Sequence, residues 1–381
     1  ILGLGFFLCA GRGLAGLLRR RLHNVPLEHK AFLYLLKNKA RGDLEMKNWR
    51  RLGSLWLLAL LLVLAACGNN NAVTPGTGNT ADAAQPTQNA GTNAAADNSA
   101  AQETTYPYTV TDSTGKEFTF EAAPERIVSL APSETETLFA LGLDEQVAGV
   151  SDLDDYPEAV KDKPRMGGFQ VNVEAIVAAQ PDLILAASLI DEATVKNLTD
   201  MGYKVFQSNP KTINEVMEHI RTIGEITNHQ AEAAEVVGKM KEEVQTVTDA
   251  VASLSEDQKK KVYIEFSPGW TVGKGEFMDE MITLAGGINV ASDVKGWSEI
   301  NEEQIIQANP DVILYAKSVV DENNKTLADI IKGRSGWDQI TAVKENRIIA
   351  LDDNLLSRTG PRVTQGLIEV AKAVHPDLIQ P

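Results

Sequence analysis

Val171 to Ala187 reads VNVEAIVAAQPDLILAA, and Ile300 to Ala316 reads INEEQIIQANPDVILYA, 129 positions further along. Glu174 matches Glu303, Pro181 matches Pro310, and Asp182 matches Asp311, with Ile, Ile-Leu and Ala shared at the same offset. In each stretch a helix with a glutamate near its start ends at Pro-Asp, because proline cannot continue a helix, and a short apolar run follows that reads as a buried strand. A repeat of this kind predicts an internal duplication: two lobes built on one plan. Two such lobes imply a cleft between them, and interdomain clefts are where small ligands bind.

The flanking sequence extends the pattern. Tyr108 to Phe120 alternates around Ser113-Thr114-Gly115 and predicts a hairpin. Apolar runs at Arg126 to Leu130, Val147 to Val150, Leu183 to Ala187 and Tyr203 to Phe206 alternate with helical stretches at Val173 to Ala179, Glu192 to Met201 and Ile213 to Ile226. Ser133 with Glu136 reads as a capping box opening another helix, which Gly142 stops. From His229 to Leu254 the apolar positions Ala233, Val236, Val237, Met240, Val244, Val247 and Val251 predict one helix about 39 Å long. Strand and helix then alternate again: Lys261 to Phe266, Glu276 to Leu284, Val312 to Ala316, Thr326 to Ile331, Arg347 to Leu351, and a last helix over Pro361 to Val374. The expected fold is α/β: two Rossmann-like lobes, each a parallel-rich sheet flanked by helices, joined by one long α-helix with the ligand cleft between them.

The chain has 381 residues, more than one hydrophobic core usually serves. Its 43% hydrophobic and 23% charged residues exclude a wholly disordered chain and a polytopic membrane protein. The net charge of -16 is unevenly spread: residues 1 to 66 carry 11 Lys/Arg against 3 Asp/Glu, so the remainder is strongly acidic. An acidic body excludes the usual phosphate-neutralising nucleic-acid surface.

The amino-terminal third reads as an address. From Met46, basic Lys47, Arg50 and Arg51 precede an apolar run from Leu52 to Leu64 that is too short to span a bilayer, then small residues before Cys67. Leu64-Ala65-Ala66-Cys67 resembles the bacterial lipobox, in which the cysteine is diacylated and becomes the first residue; two acyl chains hold a protein stably at a membrane. A buried apolar helix with a chance cysteine is the rival reading. Residues 1–45 are read as an over-extended reading frame, with a genuine extra amphipathic helix as the alternative. Residues 46–66 are then the signal peptide. The lipidated cysteine and a flexible tether occupy 67–104, whose Asn, Ala, Thr, Gln, Gly and Ser cannot offset ordering entropy by burial. An N-terminal lobe over 105–228, a connecting helix over 229–254 and a C-terminal lobe over 255–381 complete the expected organisation.

Enzyme signatures are missing from the sequence: there is no GxSxG elbow, no HExxH and no Walker loop, and Gly273 to Glu276 (GKGE) reads as a tight turn before a helix. His219, His229 and His375 are expected to be solvated surface residues, which leaves no soft ligand set for a bound metal.

The lipobox, tether, two αβ lobes, connecting helix and repeated Glu-x-Ile-x-x-x-x-Pro-Asp together resemble the substrate-binding lipoproteins of ABC importers for ferric siderophores and vitamin B12. The resemblance spans about residues 124 to 379. Glu125 to Gly142 (ERIVSLAPSETETLFALG), Asp155-Tyr156-Pro157 and Ser357 to Arg362 (SRTGPR) are its most specific pieces. It implies a non-enzymatic, monomeric receptor, lipid-anchored on the outer face of the plasma membrane. Such a receptor captures a metal chelate, whether ferric siderophore, haem or corrinoid, and delivers it to a permease powered by a cytoplasmic ATPase. The chelate is cargo, and no resident cofactor or metal is implied. The resemblance places Glu174 and Glu303 in arginine pockets of the two permease subunits; first-turn glutamates favoured by the helix dipole are the plainer explanation. It places Trp270, Trp297, Arg358 and Phe169 against the ligand, with buried structural tryptophans as the alternative and Arg362 as either a cleft or a surface residue. Two positions that are tryptophan in cobalamin binders fall at Gly168 and Ala187, so half the aromatic lining is gone. An extracellular enzyme or a cell-wall adhesion protein on the same scaffold remains the contrasting expectation.

Overall fold

The computed structural model describes residues 103–379. The readings placed on Cys67, the signal peptide, residues 1–45 and the tether up to residue 102 lie outside the described residues.

A hairpin comes first. β1 (Tyr108–Thr111) pairs antiparallel with β2 (Glu117–Phe120), Tyr108 opposite Phe120. The Asp112 carboxylate closes its turn by accepting the Thr114 and Lys116 N–H groups at 2.9 and 3.1 Å. Phe118 and Phe120 point into the core.

The N-terminal lobe follows as β3 (Ile127–Ser129), α1 (Pro132–Ala140), β4 (Val147–Gly149), α2 (Val173–Ala179), β5 (Leu183–Ala187), α3 (Glu192–Asp200), β6 (Val205–Ser208) and α4 (Ile213–Thr227). Its four strands are parallel in the order β4-β3-β5-β6. The hairpin lies along β6, where Ser113 N–H donates to Gln207 O at 3.0 Å, so that edge is covered.

After α5 (Gln230–Val251) the plan repeats: β7 (Lys260–Glu265), β8 (Trp270–Val272), α6 (Phe277–Leu284), β9 (Gly287–Asn289), β10 (Trp297–Glu299), α7 (Glu302–Ala308), β11 (Val312–Ala316), α8 (Leu327–Gly333), α9 (Thr341–Lys344), β12 (Ile348–Leu351), α10 (Asp353–Ser357) and α11 (Val363–Val374). The parallel sheet runs β12-β11-β7-β9. In each sheet the first strand, β3 or β7, sits between the second and the third, with the fourth outermost. The duplication expected from the sequence is therefore present in the topology.

It is also present bond by bond. Asn172 and Asn301 cap α2 and α7, their side chains accepting the N–H of Ala175 (3.0 Å) and Gln304 (3.2 Å). Both helices end in a left-handed residue, Gln180 and Asn309, each at φ 49°. The Asp182 carboxylate then accepts the Glu125 and Arg126 N–H groups at 2.8 and 3.0 Å, and Asp311 accepts Lys261 N–H at 2.8 Å. Arg126 and Lys261 return the favour, donating side-chain bonds to Ala179 O and Ala308 O, the last carbonyls of α2 and α7. The Pro-Asp of the echo thus staples each helix to the first strand of its own sheet.

α5 has 22 residues, about 33 Å, somewhat shorter than the sequence predicts. It packs on α4 at one end and on α11 and α6 at the other. Gly224 permits the first of these contacts: a Cβ there would lie 2.6 Å from the Cβ of Ala233. One apolar cluster runs from the N-terminal lobe through Ala233, Val237, Met240 and Val247 of α5 into the C-terminal lobe. Two separate clusters fill the opposite faces, one around Ile176 of α2 and one around Ile305 of α7. α2 and α7 therefore lie on the faces turned away from α5.

Three elements depart from expectation. α1 is not opened by Ser133: Ala131 is the N-cap without a side-chain bond, Pro132 takes the first turn, and both Ser133 and Glu136 are buried. Strand β9, the counterpart of β4, and the inserted antiparallel ribbon β8-β10 are short elements the sequence pattern did not reveal. No described helix is long and apolar enough to cross a membrane.

Replacing Asp182 by alanine removes two bonds to the first strand, whereas the same change at Asp311 removes one. Urea unfolding should show losses of about 2 kcal/mol and about 1 kcal/mol respectively. Equal losses, or none, would contradict the stapling role.

Candidate functional site

In an open parallel sheet, ligands bind outside the carboxyl ends of the strands, where the strand order reverses. Here that point lies after β3 and β5 in one lobe and after β7 and β11 in the other. The two carboxyl edges face each other. Asp155, beyond the end of β4, touches Asn354 and Arg358, beyond the end of β12.

The loop after β3 enters α1 through five consecutive buried polar residues, Ser133, Glu134, Thr135, Glu136 and Thr137. Such a run must be satisfied inside the protein. The Thr135 hydroxyl donates to Ser129 Oγ at 2.7 Å. Glu134 accepts from Ser208 and from His219, whose Nε2 is 2.8 Å away. Burial alone would lower the His219 pKa, but the Glu134 carboxylate overrides it and holds it above 6.5. Burial likewise works to raise Glu134, and the His219 charge overrides that too, holding it below the ordinary glutamate value. The expectation that His219 is a solvated surface residue is corrected by this pairing. His375 is buried as well, its Nε2 lying 3.0 Å from Gly286 O, and half-buried His229 binds Thr227 O through Nδ1. In all three cases the ring has a protein partner.

Glu136 has both of its oxygens taken from the other lobe. Arg362 donates to them from Nε and Nη2 at 2.8 and 2.6 Å, and Arg358 donates to Oε1 from Nη1 at 3.0 Å. Arg358 Nη1 also reaches Asp155 Oδ1 at 2.6 Å, and Nη2 reaches Leu153 O at 3.4 Å. The Arg362 guanidinium lies 4.0 Å over the Tyr156 ring. Arg362 is thus neither a surface residue nor free. Gly360 lets the two lobes' backbones approach: a Cβ there would be 3.0 Å from Ser133 O. Near α5 two further contacts join the lobes, Lys211 to Glu276 at 3.1 Å and Ile213 N–H to Glu280 Oε2 at 2.7 Å.

Asp154 stands beside this cluster with both carboxylate oxygens buried and, among the described residues, no well-formed hydrogen bond to either. Burial pushes its pKa up to about 7 against the weaker pull of the Thr135 side chain, the Ser151 backbone, Arg358 and Arg165.

The two tryptophans sit on the β8-β10 ribbon, which leaves the carboxyl end of β7. Trp270 is opposite Glu299 and Trp297 opposite Val272, so the alternation of the strands puts both indoles on one face. Both are half-buried, and Trp297 meets Phe266 edge-on at 5.5 Å. The turn presenting Trp270 is braced by Glu265, which is fully buried. Glu265 accepts Gly269 N–H at 2.9 Å, the Tyr263 hydroxyl at 2.8 Å and Arg334 Nη2 at 2.6 Å. In the other lobe Phe169 is half-buried, and at Gly168 a Cβ would meet only Asp152 and Leu153 at 3.7 Å or more. The backbone there has room for a side chain, so the missing aromatic is a difference of sequence and not of fold.

Glu174 and Glu303 occupy the second position of α2 and α7, both exposed, one on each lobe. Neighbouring Glu302 lies 3.5 Å from Arg334 Nε. The structure therefore brings Trp270 and Trp297 together, ties Arg358 to carboxylates across the lobes, and keeps the two glutamates well apart in sequence on equivalent helices. Sequence reasoning missed Glu136, Asp155, Glu134 and the Glu265 brace. The available signal was two glutamates alternating with hydroxyl residues, Ser133 to Thr137, directly after an apolar strand, and two arginines four residues apart.

Residues 127–355 match the family described as periplasmic binding protein. The chain is 36% identical over 289 residues to the uncharacterized ABC transporter substrate-binding lipoprotein YvrC of Bacillus subtilis, a match covering 74% of this chain and 90% of that one. It is 32% identical over 277 residues to a cobalamin-binding protein of Halobacterium salinarum, covering 71% and 74%. Among solved structures it resembles a possible iron-binding, periplasmic solute-binding protein of Staphylococcus epidermidis, with a TM-score of 0.59 and 34% identity over 66% of this chain and 99% of that one.

The raised pKa of Asp154 has a definite sign. Between about pH 4 and about pH 7 the folded protein keeps a proton that the unfolded chain has released, so stability from this group is full below the unfolded value and is lost as pH rises through the folded one. Urea titrations from pH 4 to 8 should show that decline, on the order of a few kcal/mol, and Asp154→Asn should flatten it. An unchanged slope in the variant would assign the decline elsewhere.

Proposed function

The chain belongs to the periplasmic binding protein family, and from that premise we propose that it captures a metal chelate between its lobes and delivers it to an ABC permease. The ligand class is a ferric siderophore or a corrinoid. The permease is driven by a cytoplasmic ATPase, and the receptor is a monomer held at the outer face of the membrane by lipid on Cys67. It performs no catalysis of its own.

One observation carries this reading: two lobes of identical topology each present an exposed glutamate at the second position of the corresponding helix, on the faces turned away from α5. A first-turn glutamate needs no special purpose in a single helix. Its recurrence on both lobes, with the Asn cap, fits a partner with two-fold symmetry, because two charge-assisted pairs fix orientation and steer encounter. The cobalamin-binding and possible iron-binding relatives support the ligand class. So does the site itself, since flat indoles suit a large macrocycle or aromatic chelator and a planar guanidinium suits an anionic arm. Phe169 completes the aromatic set from the opposite lobe.

Tryptophan fluorescence of the purified protein, titrated with cyanocobalamin and several ferric siderophores, should reveal saturable binding to one of them; no response to any removes the ligand claim. Trp270→Ala should weaken that binding by more than about tenfold, roughly 1.4 kcal/mol. Alanine at both Glu174 and Glu303 should abolish uptake in cells while leaving ligand affinity intact, and weakened affinity would contradict a docking role.

A further inference from the structure

The guanidinium of Arg358 already holds anions, and they are the protein's own. Its two carboxylate partners differ in how firmly they are fixed. Glu136 has a side chain only 2% exposed and is gripped separately by Arg362 through two bonds. Asp155 is 50% exposed, sits in the loop beyond β4, and shares its second oxygen with Asn354 at 3.3 Å. Arg358 itself is 10% exposed.

The bonded charges balance, Arg358 and Arg362 facing Glu136 and Asp155, and beside them Arg165 stands next to Asp154. An anionic group arriving at Arg358 therefore meets a neutral cluster with a carboxylate at its mouth, and gains nothing by adding to it. It gains by replacement. Glu136 cannot be the group displaced, because removing it would strand a second buried arginine, and an unpaired buried charge is strongly destabilising. Asp155 can be displaced at small cost, since half of its side chain is already in water and the incoming anion restores the neutrality of Arg358. A ligand without an anionic arm leaves the Asp155 to Arg358 bond, and the contact between the lobes, where it is.

We propose that Asp155 is a built-in stand-in for the anionic arm of the ligand, so that Arg358 selects metal chelates bearing a carboxylate, phosphate or catecholate group that exchanges with it. The proposal rests on the reading of the cleft as the ligand site, and it assigns Asp155 a role in specificity: it sets the threshold an anion must exceed.

The test compares two iron complexes of like coordination and different charge, a ferric tricatecholate and an uncharged ferric trihydroxamate, titrated into the intact protein and its variants. Asp155→Asn, which keeps the shape and the contact with Asn354, should raise the ratio of tricatecholate to trihydroxamate affinity by about tenfold or more, and adding Arg358→Gln should erase that gain. A ratio that is unchanged or lower overturns the proposal. Free citrate probes Arg358 without any metal: by calorimetry it should bind Asp155→Asn and Asp155→Ser at least tenfold more tightly than the unaltered protein, and equal binding overturns the proposal as well. Should citrate discriminate while neither iron complex binds any variant, the stand-in role holds and the metal-chelate reading of the cleft fails.

Discussion

The arrangement of the two lobes depends on one buried carboxylate. Glu136 belongs to the first helix of the N-terminal lobe, yet its strong partners among the described residues are Arg358 and Arg362, more than 200 residues later and in the other lobe. Desolvating a carboxylate to this degree is costly unless it is paired and fully hydrogen-bonded, and here three N–H donors meet two oxygens. Neither lobe can satisfy this group alone. The close approach of Gly360 to Ser133 O is the steric condition for the pairing, since the arginine-bearing turn must lie against the backbone of α1. With α5 joining the lobes on one side and Glu136 clamped between two arginines, relative motion is restricted to a pivot that leaves both in place.

That division also explains what could be read from the sequence. The roles of Asn172, Pro181, Asp182 and their counterparts are local: each caps or staples a helix to the nearest strand, so the same residues recur wherever the same turn recurs, and the echo at constant spacing exposes the fold. The long helix was equally plain, because its buried positions Ala233, Val237, Met240 and Val247 keep a helical period. The site residues carry no such periodicity. Ser133-x-x-Glu136 satisfies a local capping pattern, but Pro132 already occupies the first turn and the arginines claim the glutamate, so the tertiary partner prevails over the local one. His219 has polar neighbours along its helix, which by themselves predict a solvated ring; the fold turns its face onto Glu134 and the Phe206 ring.

The lobes are alike in scaffold and unlike in cleft chemistry. The C-terminal lobe inserts the β8-β10 ribbon with its two tryptophans and braces it with the Glu265 to Arg334 pair, whereas the N-terminal lobe offers the acidic loop of Asp152, Asp154 and Asp155 at the corresponding edge. The divergence in cleft chemistry lies at the carboxyl ends of the strands. Residues at the amino ends, such as Asp182 and Asp311, hold helix to sheet. Residues beyond the carboxyl ends contribute loops that the sheet does not constrain, which is where a duplicated scaffold can acquire two different surfaces for one ligand.

The position of α2 and α7 gives the two ends of the molecule different sensitivity to lobe movement. A rotation about an axis near α5 displaces each point in proportion to its distance from that axis. Glu136 and its arginines lie close to α5, and Met240 and Glu243 line the same cavity of about 260 Å³ that Glu136 and Arg362 border. α2 and α7 pack on the far faces of their sheets, on apolar clusters to which α5 does not contribute. The separation of Glu174 and Glu303 therefore responds to a given angle more than the clamp does. Small closures that the buried ion pairs can accommodate are thus largest where the exposed glutamates stand, and a partner that engages both of them is engaging the degree of closure along with the charge.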